Sequence, residues 1–551
     1  MRPLLLLLAL LPTVRGQSLP GVEPRVPQAV PAESLPAVKR EAGAAESGGV
    51  LMPRLERVIL TKPGGGAEAE QAPGLLASSD LTLPAPGALA KRLSPWLGKP
   101  LHEGGLTAMA DEILIHYDRH GYPVVLVEAP DQDLTKGVLR LTVEIGRYGE
   151  IGLSKPKYGN PDKLQKGLRL QRGEPVRREE SDEQLAWYGR TAFRHPRLFV
   201  SPGAEPATAD LLIAFEETKP WRVTTGYENS GPDLLGRDRM LLGVVGWTPG
   251  EHLLAWQSVI GTPPSSLLAN ALRWEIPFHA SHQTLQLDAA YAKVESRYGS
   301  YGDVVESEGS SWSFSALQKI PLPPVFGWRQ TLGAGLEVKG TDQFLLFGGD
   351  STASPGEVVL AHGKLTHELA RTWENGGASF ETSLFAAPGG LGGKNGDDDF
   401  KAYDPQADSS YWFGRFSGEG WWSPGADWQL RLRGTAQMAD SRLLPAEQFS
   451  AGGYQTVRGT AEREFAGDNG WQTSLEVLSP LISPVKGCDF RLLVFFDHAG
   501  LDSIRGTDSS LSSSGLGLRM RLLDHLDLRI DHGWRLDDSE DRTHFGLSAS
   551  F

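Results

Sequence analysis

The chain has 551 residues, which is too long for one ordinary domain and indicates more than one. Its formal net charge of −14 argues against a nucleic-acid partner. Its single cysteine, Cys488, excludes an intrachain disulfide framework and a multi-cysteine metal site, and we interpret it as a small strand residue.

The N-terminal residues 1–16 have the pattern of a secretory signal peptide. Arg2 supplies the charged start, and the apolar core at 4–11 is too short to span a bilayer. Because no later stretch approaches the roughly 18 apolar residues of a spanning helix, a place in a membrane would require a closed barrel. Residues 17–50 are rich in Pro, Ala and Glu and are predicted to be a disordered linker.

Two small α+β units are predicted next, at 51–147 and 148–218. The first has a strand at 55–61, helices at 87–97 and 106–119, and strands at 124–128 and 138–145, in the order β-α-α-β-β. The second has a strand at 150–153, helices at 162–170 and 179–193, and strands at 198–200 and 211–215. The pattern alone is compatible with any small α+β domain.

From residue 219 to the end the hydrophobic pattern has period two, as where Leu528 and Ile530 alternate with Arg529 and Asp531. At roughly 20 residues per strand and turn, this region predicts a transmembrane antiparallel β-barrel of about 16 strands. Aromatic residues near the predicted strand ends are expected to form interfacial girdles; they include Trp221, Tyr227, Trp247, Trp274 and Trp534.

Three long loops interrupt this barrel pattern. Those at 340–355 and 388–410 are rich in Gly and Asp and are predicted to be extracellular. Asp397-Asp398-Asp399 lacks the spaced ligands and closing glutamate of a calcium loop, so we interpret it as a solvated acidic segment. The third loop, 443–470, carries apolar anchors such as Phe449 and Phe465, so it is expected to be ordered.

The third loop has a recognisable tip. Gly452, Gly453 and Gly459 allow tight bends, and the tip is Val457-Arg458-Gly459. This tip resembles the Val-Arg-Gly-Tyr/Phe loop of the outer-membrane superfamily that joins POTRA modules to a barrel of about 16 strands. The flanking Glu447-Gln448-Phe449 and Gly467-Asp468-Asn469-Gly470 are similar to the two-partner secretion branch, the haemolysin and filamentous-haemagglutinin transporters. Thr460 stands where that family has an aromatic residue, which is expected to loosen the packing of the tip.

A second motif lies at 491–500. Alternation places Asp497 on the face opposite Leu492, Val494 and Phe496, and so in the lumen if those three meet lipid. Phe495-Phe496-Asp497-His498-Ala499 resembles the F-x-D-x-G motif of the same family, with Ala for Gly. The resemblance implies that Arg458 pairs with Asp497, that Val457, Arg458 and Gly459 gate the pore, and that nearby residues support the loop, namely Gly452, Gly453, Phe495, Gly467 and Asp468. Without the resemblance, Arg458 would be interpreted as a solvated loop arginine.

The resemblance also implies the architecture. The unit at 51–147 would be POTRA 1, the unit at 148–218 POTRA 2, and 219–551 the outer-membrane barrel. Residues 17–50 would be a disordered linker or a plug segment. Phe551 after an alternating strand resembles the C-terminal signal read by the assembly machinery of the bacterial outer membrane.

The function implied is export of a secreted partner protein, unfolded in transit, which the POTRA modules bind through residues that are not identified. Periplasmic chaperones, the barrel-assembly machinery and outer-membrane lipid are the other expected partners; no cofactor or metal is expected. The alternatives are a barrel-assembly insertase of the same superfamily and a passive porin. No enzyme is predicted: His102-Glu103 and His367-Glu368 begin a zinc-protease motif, but Leu106 and Arg371 stand where its second histidine is needed.

Overall fold

The computed structural model describes residues 23–27, 47–65, 68–72, 74–298, 305–342, 356–504 and 508–551. The predicted signal peptide, most of the predicted linker and most of the loop at 340–355 lie outside these residues. The chain forms two compact units, one within 28–218 and one that joins 219–551 to the described residues 23–27.

The first unit begins with an α+β domain built around a five-stranded sheet in the order β3-β4-β2-β7-β6. The helices α1 and α2 supply apolar residues to its core, including Leu89, Leu93, Met109 and Ile113. The elements are β1 (Val50–Met52), β2 (Arg57–Thr61), β3 (Glu68–Ala72), β4 (Leu75–Ser78), α1 (Pro86–Leu93), β5 (Leu101–His102), α2 (Glu103–Arg119), β6 (Val125–Glu128) and β7 (Val138–Ile145).

The predicted order β-α-α-β-β omitted four short strands of this domain. The strands β3 and β4 form a hairpin that extends the sheet, and β1 pairs with β5. The sequence of β3 is rich in Ala and Glu, which favour strands weakly, and β1 and β5 are only three and two residues long, so these strands depend on pairing with their neighbours rather than on local propensity. The helix predicted at 87–97 ends at Leu93 and continues as a short 3₁₀ turn that contains Pro95.

The second domain of this unit is a three-stranded sheet in the order β8-β10-β9 with two helices. Both helices end earlier than predicted, just before Gly167 and Gly189, because glycine weakens a helix and is common just beyond its end. The elements are β8 (Arg147–Leu153), α3 (Pro161–Lys166), α4 (Arg178–Tyr188), β9 (Arg194–Pro202) and β10 (Thr208–Glu217). None of the helices in the described part of the chain is long and apolar enough to cross a membrane.

A buried histidine makes the stability of the first domain depend on pH. His116 of α2 is buried, and its Nε2 lies 2.6 Å from the carbonyl oxygen of Pro84. Burial lowers the pKa of His116, so the unfolded chain binds a proton more readily than the folded domain. We therefore expect the free energy of unfolding to be intact above about pH 6.5 and to decrease as the pH falls below that value.

Thermal denaturation of the detergent-solubilised protein between pH 8 and pH 5 checks this prediction. His116→Gln should flatten the pH dependence of the transition of the 28–218 unit. His102→Gln is the matched control, because this histidine lies at the opposite end of α2, where its Nδ1 is 3.5 Å from the carbonyl oxygen of Gly48. An equal loss of stability at low pH in the wild type and in His116→Gln would contradict the assignment.

The second unit is a closed antiparallel barrel, which confirms the predicted fold class. The segments β24 and β25 both pair with β26 and form one strand interrupted at 479–481, so the barrel has 16 strands among the described residues. Pairing of β11 with β29 closes the barrel. The elements are β11 (Trp221–Glu228), β12 (Arg239–Trp247), β13 (Leu253–Gly261), β14 (Leu267–Phe278), β15 (Gln283–Tyr298), β16 (Val305–Val325), β17 (Trp328–Thr341), β18 (Val358–Trp373), β19 (Gly376–Ala387), α5 (Asp397–Tyr403), β20 (Tyr411–Gly425), β21 (Trp428–Ala439), β22 (Phe449–Ala451), β23 (Phe465–Gly467), β24 (Asn469–Leu478), β25 (Ile482–Val485), β26 (Cys488–Asp502), β27 (Ser509–Leu522), β28 (Leu526–Arg535) and β29 (Asp541–Ser550).

The two faces of the barrel wall differ as the alternation predicts. On β26, Leu492, Val494 and Phe496 are 52%, 50% and 45% exposed, whereas Leu493 and Asp497 are buried in the interior. Trp221, Trp274 and Trp534 are also exposed on the outer face, where aromatic residues suit a lipid interface. The prediction that Trp247 belongs to an interfacial girdle is wrong. Its side chain is buried, because it points to the same inner side of β12 as Leu241 and Val245.

The loop predicted at 388–410 contains a short helix, α5. Asp397, Asp398 and Asp399 form its first turn, where carboxylates are favoured by the helix dipole. Asp399 accepts a hydrogen bond from the backbone N–H of Gly396 at 3.1 Å. Phe400 and Tyr403 on the other side of α5 belong to a buried cluster that also contains residues of the next loop, Leu443 and Leu444. Among the described residues, no group of side chains is arranged to hold a metal ion.

Candidate functional site: a loop held inside the barrel

The connection between β21 and β24 folds into the barrel interior. It carries the hairpin β22–β23, and its apolar residues Phe449, Ala451 and Val457 are buried. They pack in one cluster with wall residues of β26 and β27, among them Ala499, Leu501 and Leu511. The apolar residues that predicted an ordered loop therefore anchor it to the inner wall.

The tip of this loop is held by Arg458, whose side chain is 1% exposed. Its guanidinium donates to both carboxylate oxygens of Asp497, from Nε to Oδ2 at 2.7 Å and from Nη2 to Oδ1 at 2.8 Å. The backbone N–H of Arg458 donates to the same carboxylate at 3.1 Å. The structure thus brings together the two residues that the resemblance paired, in the bidentate geometry that favours arginine with a carboxylate.

The guanidinium is also surrounded by two acidic residues that the sequence did not assign to the site. Arg458 Nη1 donates to Glu476 Oε1 of β24 at 2.6 Å and lies 3.7 Å from Asp531 Oδ1 of β28. Both acids also pair with other interior arginines, Glu476 with Arg433 and Asp531 with Arg519 and Arg529. The alternation places Glu476 and Asp531 on the interior face, but it does not say which interior residues meet the loop.

Aromatic and glycine residues complete the site on the barrel wall that holds the loop tip, which we call the seat. The Phe495 ring lies under the guanidinium, with its centroid 3.6 Å from Arg458 Cζ, a cation–π contact. Gly459 has φ +90° and packs directly on Gly533 of β28, where a Cβ on either residue would lie 2.7 Å from backbone atoms of the other segment. The backbone N–H of Gly459 donates to His544 Nε2 of β29 at 3.1 Å.

Thr460 does not loosen the tip as expected. Its side chain is buried, and its hydroxyl donates to the carbonyl of Val457 at 2.7 Å. The same hydroxyl accepts from the backbone N–H of Gly453 at 3.1 Å. A small hydroxyl side chain therefore closes the tip by hydrogen bonds to the loop backbone.

The two ends of the loop meet at Asp468, which is fully buried. Its carboxylate accepts from the backbone N–H groups of Leu443 and Ile504 at 2.9 and 2.8 Å, and from Arg442 Nη1 at 3.2 Å. Arg442 also donates to Asp404, just beyond α5, at 2.8 Å. Asp468 thus joins the start of the loop to its end, next to Gly467, which is also buried.

Part of the predicted linker also contacts the barrel interior. The backbone N–H of Arg25 donates to Gln257 Oε1 at 3.1 Å, and its guanidinium donates to Glu228 at 2.8 Å. Glu228 and Gln257 are buried residues of β11 and β13. The described residues 23–27 therefore lie against the inner wall.

Comparisons with known proteins agree with this architecture. The family model described as haemolysin secretion/activation protein ShlB/FhaC/HecB matches residues 364–520, and the model of the ShlB-type POTRA domain matches residues 80–146. The chain is 24% identical over 452 residues to the outer membrane transporter CdiB of Escherichia coli O6:K15:H31, covering 77% of this chain and 71% of that protein.

Solved structures of similar proteins show the same fold. CdiB from Escherichia coli superposes with a TM-score of 0.73 at 17% identity, covering 94% of both chains. CdiB from Acinetobacter baumannii superposes with a TM-score of 0.65 at 17% identity, covering 96% of this chain and 95% of the other.

Proposed function

We propose that this chain, a two-partner secretion transporter of the bacterial outer membrane, exports its partner protein through the barrel by displacing the Val457-Arg458-Gly459 loop. The observation that carries the gating step is the Arg458–Asp497 pair, which joins a loop tip in the lumen to the wall. A chain that crosses the barrel must pass the space that this loop occupies. Movement of the loop is therefore the step that opens the pore.

The electrostatics of the seat support a gate with a defined closed position. Asp497 is fully buried, and within the described chain Arg458 is the cation it pairs with. Glu476 and Asp531 keep other arginine partners when Arg458 leaves. Removing one member of a buried ion pair costs about 3–5 kcal/mol, so the seated loop is favoured until a partner chain supplies competing contacts.

The POTRA modules bind the partner protein before it enters the pore. The strands β6 and β9 each end a sheet, and an extended chain pairs readily with a free strand edge. We place both modules in the periplasm, where the partner arrives unfolded with the help of chaperones. Folding of the partner outside the cell would then draw it through the barrel.

The ends of the chain serve assembly and occupancy of the pore. Residues 1–16 act as the signal peptide, and Phe551 serves as the signal for the barrel-assembly machinery that inserts the barrel among outer-membrane lipids. Contacts of Arg25 with Glu228 and Gln257 support a role for residues 23–27 as part of a segment that lies in the pore.

A barrel-assembly insertase is the second candidate, because it shares the superfamily. Deletion of the gene distinguishes the two by comparing secreted proteins with outer-membrane barrels. Loss of one secreted protein with normal amounts of other barrels is expected for the transporter. A general loss of barrels would instead support the insertase, and no change in either would support a passive porin.

A further inference from the structure

A second group of buried charges holds the same loop near its beginning, away from the tip. The Glu447 carboxylate lies just before β22 and is 1% exposed. Its Oε1 lies 3.0 Å from Lys339 Nζ of β17 and 3.2 Å from His362 Nε2 of β18. In the barrel order, β17 and β18 are separated from β24, β26 and β28 by β19, β20 and β21 on one side and by more strands on the other. Glu447 therefore reaches a different part of the wall from Arg458.

The backbone around Glu447 is fixed independently of its side chain. Gln437 of β21 donates from Nε2 to the carbonyl of Glu447 at 2.9 Å and to the carbonyl of Asp468 at 3.0 Å. One wall residue thus holds the beginning and the end of the loop. The Glu447 carboxylate extends from this fixed point to Lys339, so its contact adds a separate connection to the wall.

The charges of this second group allow the contact to open and close. Lys339 Nζ also lies 2.7 Å from Glu337 Oε1, and Lys364 Nζ lies 3.8 Å from Glu337 Oε2. When Glu447 leaves, Lys339 keeps Glu337 as a partner, so the charge of Lys339 stays paired. The contact at the tip differs, because departure of Arg458 leaves Asp497 without its cation.

We propose that Glu447 is a second positioning residue of the loop, which holds the loop stem on the β17–β18 wall through Lys339 and His362. This inference rests on the proposed gating function. The loop then spans the lumen between two ion-pair groups, and it leaves the lumen when both have opened. Loss of the Glu447 contact should make spontaneous opening more frequent without removing the tip contact.

Single-channel recording of the full-length protein in planar bilayers tests the inference without a partner protein. Glu447→Gln and Lys339→Gln should each raise the fraction of time in the open state by about tenfold, which corresponds to about 1.4 kcal/mol. The double variant should open no more often than the single variant with the higher open fraction, because both substitutions remove the same contact between Glu447 and Lys339. Glu381→Gln is the matched control, since this interior glutamate of β19 accepts from Ser383 of its own strand.

Open fractions equal to the wild type in both single variants would overturn the inference, and so would additive effects in the double variant. Glu447→Asp provides a second test if Glu447→Gln does not reach the membrane, with a smaller rise expected because the charge is kept on a shorter side chain. The outcome is separable from the function itself. If Glu447→Gln and Lys339→Gln have the open fraction of the wild type while Arg458→Ala loses export, only the role of Glu447 is overturned. Full export in Arg458→Ala would instead overturn the gating function.

Discussion

Charge reversal at Arg458 is expected to abolish export while the barrel still assembles. In Arg458→Glu, a fourth carboxylate would face Asp497, Glu476 and Asp531 in the place of the cation that now joins them. Like charges in a buried site repel strongly, and the loss of the pair alone costs about 3–5 kcal/mol. The tip cannot return to its closed position after it has been displaced, so the loop no longer alternates between its two positions, and we expect secretion of the partner to fall below detection.

The measurement is the amount of partner protein in the medium, with the heat-dependent gel migration of the barrel as the check on assembly. Arg458→Lys should give an intermediate rate, because lysine keeps the charge but loses the bidentate geometry. Arg491→Glu is the matched control: this interior arginine of β26 donates to the carbonyls of Asp427 and Ser479 rather than to the loop. Full export in Arg458→Ala would contradict the role of the pair.

Substitution of Gly533 by alanine is expected to lower export, because it interferes with the packing of the loop tip against β28. A Cβ on Gly533 would lie 2.7 Å from the carbonyl oxygen of Arg458 and 2.8 Å from Gly459 Cα, and these backbone atoms cannot rotate away. Gly533 lies in an ordinary strand conformation, so alanine does not strain β28 itself. The substitution therefore acts on the docking of the tip, and we expect about a tenfold decrease in secretion, equivalent to about 1.4 kcal/mol.

A glycine substitution elsewhere on the interior wall separates docking from strand effects. A Cβ on Gly243 of β12 would approach no atom closer than the carbonyl oxygen of Trp256 at 3.7 Å, an ordinary contact. Gly243→Ala should therefore secrete at the wild-type rate. If Gly533→Ala also secretes at that rate, with its barrel fully assembled, then the close approach of Gly459 to β28 is not required for export.

The amino-acid sequence by itself determined the barrel and the faces of its strands. Alternation is a local property, because neighbouring residues of a strand point to opposite sides. It placed Asp497 inside and Leu492 outside, as the structure does. The local motif around Arg458 also pointed to the loop tip, since its residues are adjacent in the chain.

Only the tertiary structure decided which interior residues meet the loop. Glu476 and Asp531 lie on β24 and β28, and Lys339 lies on β17, so their approach to the loop depends on closure of the barrel and on the path of the loop across it. Parity along a strand assigns a side chain to the interior but carries no information about its position around the circumference. The contacts of Glu447 and the close approach of Gly459 to Gly533 depend on that position around the circumference, which no local sequence pattern encodes.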